Sequence, residues 1–393
     1  RENGYGHIQS PHGVRHLLYM LPQRSLIDEE HHGSSWVAQR SIHHLKENAG
    51  NRPFFMWSSF IAPHPPFDVP EEWADLYKGQ ELPPVKRSKT PVTEFAEWKS
   101  YIADYPNEQY LQRARELYYA SISFVDYNIG KIIQQLKDMG EYDNTLIIFT
   151  SDHGEMLGDH GTYQKMLPYE GSARIPFIMR YPQKIEAGSV DNRFVDINDI
   201  LPTVLDVAGV SYPKPEILPG ESIFIQNGFK DRAVQYVEHS HGNQRWASLR
   251  DDKYKYNYYY GGGIEELFDM ENDPDETTNL LYEQPDMEII AVKEALRTQL
   301  IAYEERYGLE GYVVNHQFVK LEEFKKFKYR ENNPPLFPKK QKSSYISLEE
   351  EVKQAIAHES VVKLEELDVP FFVDRKTLDE EVLLKGKSEA KIL

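Results

Sequence analysis

The chain has 393 residues, of which 40% are hydrophobic and 27% charged, a composition typical of a soluble globular protein of two or three domains. Its 63 acidic and 45 basic side chains give a formal charge of −18, which argues against nucleic acid or an anionic membrane as a partner but not against a small anionic substrate. The absence of cysteine excludes disulfides, thiolate metal sites and a cysteine nucleophile within the chain, and no apolar run of about eighteen residues predicts a membrane span.

Residues 1–230 alternate helical patterns with apolar strand patterns. Apolar side chains at three- and four-residue steps predict a long helix over Leu111–Met139, which Gly140 ends. The other predicted elements, in chain order, are a helix near Ser35–Asn48, a buried strand at 53–60, strands at 145–150 and Ile175–Met179, and a helix near Asp199–Ala208. Helices that alternate with apolar strands predict an α/β fold with a mostly parallel central sheet flanked by helices.

The pattern changes twice beyond residue 230. Residues 231–307 contain four short, aromatic-rich segments between turn residues, which predicts a small antiparallel subdomain with a helix from about Pro285 to Tyr307. The four segments are Ala233–Glu238, Arg245–Arg250, Tyr254–Tyr260 and Glu266–Met270. Residues 308–393 are rich in Lys and Glu and predict a charged C-terminal extension, with a helix best indicated at Leu348–Leu367.

A polar segment follows the predicted strand at 145–150. Asp152 and His153 stand directly after it, and ligands bind beyond the carboxyl ends of strands in open α/β sheets. A carboxylate suits calcium or magnesium, whereas imidazole suits zinc or manganese better. The pair predicts a metal or anion site; the alternative is that Asp152 caps a turn and His153 lies on the surface. Three neighbours are expected mainly to solvate the loop: Glu155, Asp159 and His160.

Two more side chains are candidates for the same site. Lys165 lies thirteen residues beyond Asp152, and its ammonium could hold an anionic oxygen; otherwise it is a solvent-exposed lysine. His64 is flanked by Pro63 and Pro65, which restrict the backbone and can aim the imidazole. It could bind an oxyanion or protonate a leaving oxygen, although a lone loop histidine often has no function.

Together these segments resemble the type I sulfatases of the alkaline phosphatase superfamily. The residues that carry the resemblance are TSDHGEMLGDHG at 150–161, Lys165, and YEGSARIPF at 169–177. Further similar stretches, at 120–126, 195–203 and 267–280, extend it over about residues 50–305. Each stretch alone is weak evidence, whereas the combination is highly specific. The resemblance implies the alkaline-phosphatase-like α/β fold and hydrolysis of an O-sulfate ester at a divalent cation.

The resemblance also implies a role for each candidate residue. Asp152 and His153 would be two ligands of the cation, usually calcium; many members carry asparagine at the second position. Lys165 would contact the sulfate oxygens and His64 the sulfate or its leaving oxygen, so that both are catalytic and substrate-binding. Sulfate-ester cleavage needs cations around the transferring group and help for the departing alkoxide. We therefore expect the four side chains to converge on one anion.

The nucleophile of this family is a formylglycine made from the Cys or Ser of a Cys/Ser-x-Pro-x-Arg motif, which the chain lacks. The segment from Ser10 to Arg15 does not fit, because its proline directly follows the serine. The family's Gly-Lys-x-His segment and its further aspartate ligands are missing too. We therefore expect an N-terminal portion with the formylglycine to precede Arg1, and the fragment alone to be inactive.

Substrate contacts are expected from the loop between the first two strands of the small subdomain. His239, His241 and Arg245 lie there and could touch a sugar or aryl group; the alternative is an ordinary polar hairpin turn. The expected partner is a small-molecule or glycan sulfate ester, and the family's habits imply a periplasmic or secreted protein. Two other functions stay open: a phosphonate or phosphodiester hydrolase of the same superfamily, and a catalytically inactive binding protein on this fold.

Overall fold

A computed structural model describes residues 22–324, apart from residues 26, 94, 97–107 and 225–231. The described chain divides into two compact units: residues 22–83 with 108–142, and residues 84–96 with 143–324. This division differs from the boundary expected near residue 230. The helix predicted at Leu348–Leu367 lies outside the described residues. Within the described part, no helix combines the length and the apolar character needed to cross a bilayer.

The first unit is built around two packed helices. Its elements in chain order are β1 (Gln23–Arg24), α1 (Gly33–Asn48), β2 (Asp68–Val69), α2 (Glu71–Ala74) and α3 (Glu108–Asp138). Strands β1 and β2 pair in parallel, and α1 packs along α3. His32, which precedes α1, meets the ring of Phe124 on α3 edge to face, with the ring centres 5.2 Å apart.

Helix α3 ends close to the predicted point. Gly140 adopts the left-handed conformation, with φ 72°, which glycine tolerates without a steric penalty. The amides of Gly140 and Glu141 donate to the carbonyls of Lys137 and Leu136, both at 3.0 Å. These two bonds satisfy carbonyls that the helix end would otherwise leave without donors.

The buried strand predicted at 53–60 is wrong. This segment forms no strand, and its side chains alternate between half-buried and exposed, with Phe55 67% and Trp57 79% exposed. A strand is stabilised by a hydrogen-bonded neighbour, and no described strand pairs with this segment. Its apolar composition indicated a capacity for strand structure, but composition cannot supply the partner.

The second unit confirms the α/β class. Its elements are β3 (Ile147–Thr150), α4 (Glu170–Ala173), β4 (Phe177–Arg180), α5 (Ile200–Ala208), β5 (Gln235–His239), β6 (Trp246–Arg250), β7 (Tyr254–Tyr259), β8 (Ile264–Asp269), α6 (Met287–Tyr307), β9 (Val313–Val314) and β10 (Gln317–Phe318). The expected parallel pairing of β3 is not what is seen, because β3 pairs with β4 in antiparallel register, Ile147 opposite Arg180. An apolar run indicates a strand but not the direction of its neighbour.

Strands β5 to β8 form the predicted antiparallel sheet, in the order β5–β6–β7–β8. Successive residues of a strand point to opposite faces, so the sheet contributes to two cores. One core joins Ala247, Leu249 and Tyr256 to Leu296 and Leu300 of α6. The other joins Trp246, Tyr259 and Phe268 to Met156, Leu167 and Tyr169. The second core therefore fixes the sheet against the segment on either side of Lys165.

Helix α6 begins and ends where the sequence predicts. The side chain of Asp286 accepts a hydrogen bond from the amide of Ile289 at 2.9 Å, which satisfies one of the first-turn donors. At the other end, the amide of Gly308 donates to the carbonyl of Glu304 at 3.0 Å. Asp286 therefore caps the start of the helix, and Gly308 marks its end.

Candidate metal and anion site

Asp152 and His153 follow β3 and face one another. The Asp152 side chain is 84% exposed, and its Oδ2 lies 3.5 Å from Nε2 of His153. The Nδ1 of His153 lies 2.7 Å from the carbonyl oxygen of Gly154. A carbonyl can only accept, so Nδ1 carries the proton, and in the neutral ring Nε2 presents its lone pair towards the carboxylate.

This pair fits a divalent cation. Two ligands that meet one calcium ion at near right angles lie about 3.3 Å apart, close to the observed separation of Oδ2 and Nε2. Metal-binding histidines usually donate their other ring N–H to a carbonyl or carboxylate, which fixes the orientation of the ring, and His153 makes such a contact with Gly154. Among the described residues no group of three or more Asp, Glu or His side chains forms a complete site. Asp152 and His153 can therefore supply part of a ligand set.

His64 belongs to the first unit, whereas Asp152, His153 and Lys165 belong to the second. Its backbone amide donates to the carbonyl of Ile61 at 3.0 Å, and its Nδ1 donates to the carbonyl of Pro65 at 2.9 Å. The ring is half-buried, and its Nε2 is the basic nitrogen for the same reason as in His153. The convergence of all four side chains on one anion stays a prediction.

Lys165 lies in a loop with unusual backbone geometry. Four non-glycine residues in this loop adopt the left-handed conformation: Leu157, His160, Gln164 and Met166, with φ between 47° and 78°. Lys165 stands between the last two and is half-buried. Such conformations are costly and persist only where surrounding contacts hold them, and they occur often at functional sites.

Glu155 holds the N-terminal side of this turn. Its carboxylate accepts the backbone amide of Gln164 and, at 3.3 Å, that of Leu157. The carbonyl of Gln164 in turn accepts the amide of Met156 at 2.7 Å. These bonds fold the loop back on itself. They attach Gln164, the residue before Lys165, to the segment just beyond Asp152.

Trp246 holds the C-terminal side. Its Nε1–H donates to the carbonyl of Met166 at 2.9 Å, and the indole is buried with Leu167 and Tyr169. An interior polar group needs a partner, and this bond satisfies the indole nitrogen and the carbonyl together. Strand β6 is thereby attached to the residue next to Lys165.

Gly154 brings the segment that carries Asp152 and His153 against α4. Its amide donates to the carbonyl of Ser172 at 2.8 Å. A Cβ added to Gly154 would lie 2.2 Å from the carbonyl oxygen of Gly171, a distance that no side chain can occupy. Only glycine permits this close approach, so the position of the Asp152–His153 pair relative to α4 depends on it.

A buried ionic cluster anchors α4 to the sheet. Glu170 pairs with Arg250 at 2.7 Å and Lys255 at 3.1 Å, and Lys255 also pairs with Glu276 at 2.8 Å. Burial disfavours charge on Glu170, but the two cations outweigh it and lower the pKa of this carboxyl. Paired in this way, the charges can remain in the interior and fix the helix that contacts Gly154.

The expectation that Arg245 binds substrate is wrong. Its guanidinium pairs with Glu238 and, at 2.9 Å, with Glu304, and it lies over the rings of Tyr260 and Tyr312. Only 1% of the side chain is exposed. A charged group enclosed by two carboxylates and two rings stabilises the subdomain and cannot reach a substrate.

His239 and His241 lie at the β5–β6 connection, as predicted. The ring of His239 lies beside that of Trp246, with centres 5.7 Å apart, while His241 is exposed. Because Trp246 also bonds to Met166, His239 packs on a residue that contacts the Lys165 loop. Substrate binding by these histidines stays a prediction.

Three loop residues expected mainly to face solvent have internal roles: Glu155, described above, Asp159 and His160. Asp159 accepts the amide of Lys86 at 2.9 Å. His160 is buried against Tyr169 and bonds to Ser88 through Nδ1 at 2.7 Å. Burial, with a smaller contribution from the charge of Lys86, lowers the pKa of His160 to about 4. The roles of Glu155 and Trp246 were missed, because bonds to backbone groups leave no signal in side-chain spacing.

Comparison with known proteins identifies the family of the chain. Residues 4–210 match the family described as Sulfatase, and residues 158–306 match the family described as N-sulphoglucosamine sulphohydrolase, C-terminal. The first match covers more than half of the chain. The chain belongs to the sulfatase family. The resemblance inferred from residues 150–177 is confirmed.

Individual relatives are similar over most of the chain but extend beyond it. An arylsulfatase of Clostridium perfringens is 33% identical over 73% of this chain and 63% of its own length. An N-acetylglucosamine-6-O-sulfatase of Bacteroides thetaiotaomicron is 31% identical over 60% of this chain and 42% of its own length. The chain thus spans less than two thirds of these relatives.

A solved structure agrees on the fold. The phosphonate monoester hydrolase of Agrobacterium radiobacter is similar with a TM-score of 0.66 and 25% identity, over 78% of this chain and 68% of that protein. This likeness supports the alkaline-phosphatase-like α/β architecture expected from the sequence.

Proposed function

We propose that this sulfatase-family protein hydrolyses an O-sulfate ester at a divalent cation, with a carbohydrate or aryl alcohol as the leaving group. The observation that carries the proposal is the pairing of Asp152 Oδ2 with His153 Nε2 at 3.5 Å, followed by a braced loop that presents Lys165. An oxygen ligand, a nitrogen ligand and an ammonium suit a cation and an oxyanion side by side. The sulfatase names of the similar curated proteins support the choice of sulfate.

Each residue would have one role in this reaction. Lys165 would bind a non-bridging sulfate oxygen, and its charge would oppose the negative charge that builds up as the ester bond breaks. Because His64 donates from Nδ1 to Pro65, its neutral ring has no proton on Nε2; the cationic ring, with a second proton on Nε2, would hydrogen-bond the sulfate or protonate the leaving oxygen. Asp152 and His153 would hold the cation, for which we propose calcium. A bound cation polarises the sulfate oxygens.

The proposed nucleophile is the formylglycine of the family, which the 393 residues do not contain in its expected motif. A periplasmic or secreted location, and substrate contacts by His239 and His241, are part of the same proposal. They rest on the resemblance and on the position of the β5–β6 connection beside Trp246.

The test is a panel of nitrophenyl sulfate, phosphate and phosphonate esters, assayed with the protein expressed from its complete gene. We expect turnover of the sulfate ester. Lys165→Ala should lower kcat/KM about 10²- to 10³-fold, as expected for the loss of one charge-stabilising group. The control Lys46→Ala, at an exposed site on α1, should leave kcat/KM unchanged.

The metal assignment is tested in the same protein. Chelation by EGTA should abolish turnover, and added calcium should restore it. Asp152→Asn and His153→Ala should raise the calcium concentration needed for half-maximal activity, whereas His153→Asn should raise it less because asparagine supplies an oxygen ligand in place of the ring nitrogen. Calcium dependence identical to that of the unsubstituted protein in Asp152→Asn would contradict the assignment.

The second candidate is a phosphonate monoester hydrolase, which the similarity to the Agrobacterium radiobacter structure favours. Phosphonate turnover without sulfate turnover would establish it. Binding of sulfate without turnover of any ester, in a complete protein with no Cys or Ser at the nucleophile position, would instead establish an inactive binding protein.

A further inference from the structure

We infer that Trp246, on the small C-terminal sheet, is a positioning residue for Lys165 and so sets the affinity of the site for its anion. The inference rests on the proposed function, because it assumes that Lys165 meets the sulfate. It assigns a role in that site to β6, which is remote from it in sequence. Trp246 would act through the backbone of Met166 and would not touch the anion.

The first observation is the conformation of the backbone around Lys165. Gln164 has φ 64° and Met166 φ 78°, so the lysine stands between two non-glycine residues in the left-handed region. Neither side chain favours this conformation, and a loop without external restraint would leave it. The direction in which Lys165 projects therefore depends on what holds its two neighbours.

The second observation is that the two neighbours are held from opposite sides. The amide of Gln164 is bound by the Glu155 carboxylate, which comes from the same loop. The carbonyl of Met166 is bound at 2.9 Å by the Trp246 indole, which comes from the sheet. Local sequence thus fixes one side of Lys165, and tertiary structure fixes the other.

The third observation is that Trp246 is itself immobilised. Only 3% of the residue is exposed, and it packs in one core with Leu167, Tyr169 and Phe268. A rigid donor on a sheet strand restricts a loop carbonyl to a smaller range of positions than a mobile surface side chain does. A lysine has four rotatable side-chain bonds, so the fixed backbone sets the point and direction from which its ammonium reaches.

The experiment measures binding of inorganic sulfate, in the presence of calcium, to the protein expressed from its complete gene, by isothermal titration calorimetry. Four variants are compared with the unsubstituted chain: Trp246→Phe, Lys165→Ala, the double variant, and the control Trp73→Phe. Phenylalanine keeps most of the buried ring and removes the N–H donor. Trp73 is a matched control, since its Nε1–H donates to Glu29 at 3.0 Å within the first unit.

We expect Trp246→Phe to weaken sulfate binding about 3- to 10-fold, the range for loss of one neutral hydrogen bond. Lys165→Ala should weaken it more, and the double variant should bind no more weakly than Lys165→Ala alone, because Trp246 acts through Lys165. Trp73→Phe should bind as the unsubstituted chain does. Hydrogen exchange of the peptide around Lys165 should be faster in Trp246→Phe than in Trp73→Phe.

The outcomes separate this inference from the proposed function. An equal loss from Trp246→Phe with and without Lys165 would show a general structural effect and overturn the positioning role. Normal binding and normal exchange in Trp246→Phe, with weak binding in Lys165→Ala, would overturn the positioning role alone. Normal sulfate binding in Lys165→Ala, or no sulfate binding by the unsubstituted protein expressed from its complete gene, would overturn both proposals.

Discussion

Gly154 has no Cβ, and this allows the segment that carries Asp152 and His153 to approach α4 closely. Gly154 lies so close to the carbonyl of Gly171 that any Cβ must displace α4 or the loop. We expect Gly154→Ala to lower the free energy of unfolding by about 1–3 kcal/mol, the usual cost of inserting a methyl group into a packed site. Urea unfolding followed by circular dichroism measures it.

The matched control is Gly130→Ala in the middle of α3, where an added Cβ has nothing within 4 Å. Alanine favours a helix over glycine by about 0.5–1 kcal/mol, so this variant should be more stable than the parent chain. Equal effects of the two substitutions would show that the contact between Gly154 and Gly171 is not the cause.

At the residue scale, Asp152 and His153 lie directly after a strand, as the sequence predicts, whereas Arg245 is buried in ion pairs and does not have the exposure expected of a binding residue. Asp152 and His153 were recognisable because charge and imidazole interrupt an apolar strand. Arg245 resembled a binding residue because it follows two histidines in a turn. Its partner Glu304 lies 59 residues further on, in α6, and no local pattern reveals such a pair.

At the scale of elements, the loop between β3 and α4 carries a pH-dependent contribution to stability. Burial lowers the pKa of His160 to about 4, below its ordinary value of 6.5. The unfolded chain therefore takes up a proton as the pH falls through 6.5, whereas the folded chain does so only near 4. The contribution of His160 to the free energy of unfolding is complete above pH 6.5. It falls by up to about 3 kcal/mol towards pH 4, since one pKa unit corresponds to about 1.4 kcal/mol.

His160→Asn should flatten this decline, because asparagine does not titrate and tolerates the left-handed backbone that His160 adopts, with φ 55°. The measurement is the urea midpoint at pH 7 and at pH 4.5 for both chains. His43→Asn, at an exposed position on α1, is the control and should retain the parent's pH dependence. A parent-like slope in His160→Asn would refute the assignment.

The elements themselves were largely predictable, and their pairing was not. Helices α1, α3, α5 and α6 and strands β3 to β8 lie at the expected places, because apolar periodicity and Gly or Pro boundaries are local signals. The antiparallel pairing of β3 with β4, and the absence of a described strand beside residues 53–60, are matters of tertiary structure that local patterns do not reveal. The same is true of the Lys165 loop, whose shape depends on Glu155 and on Trp246 of β6.

At the scale of the whole molecule, the extended segment at 53–60 carries the two most exposed aromatic side chains among the described residues. Phe55 and Trp57 are mostly exposed, and such apolar side chains promote association and dye binding. We expect the chain to bind anilinonaphthalene sulfonate and to associate as its concentration rises. The double substitution Phe55→Ser with Trp57→Ser should reduce both, as measured by dye fluorescence and light scattering.

Phe54 is the control, because its side chain is half-buried whereas that of the next residue, Phe55, is exposed. Phe54→Ser should lower stability and leave dye binding at least as strong as in the parent. Equal dye binding by the parent and the Phe55→Ser, Trp57→Ser variant would show that this segment is not the source of the exposed apolar surface.

His64 and His153 share one feature with a consequence for solution chemistry. Each ring donates from Nδ1 to the carbonyl of the residue that follows it. A neutral imidazole free in water carries its proton mainly on the other nitrogen, so both rings are locked in the minority tautomer. Nitrogen-15 spectra should show this reversed pattern for these two rings, and an alkylating electrophile should attach to them at Nε2.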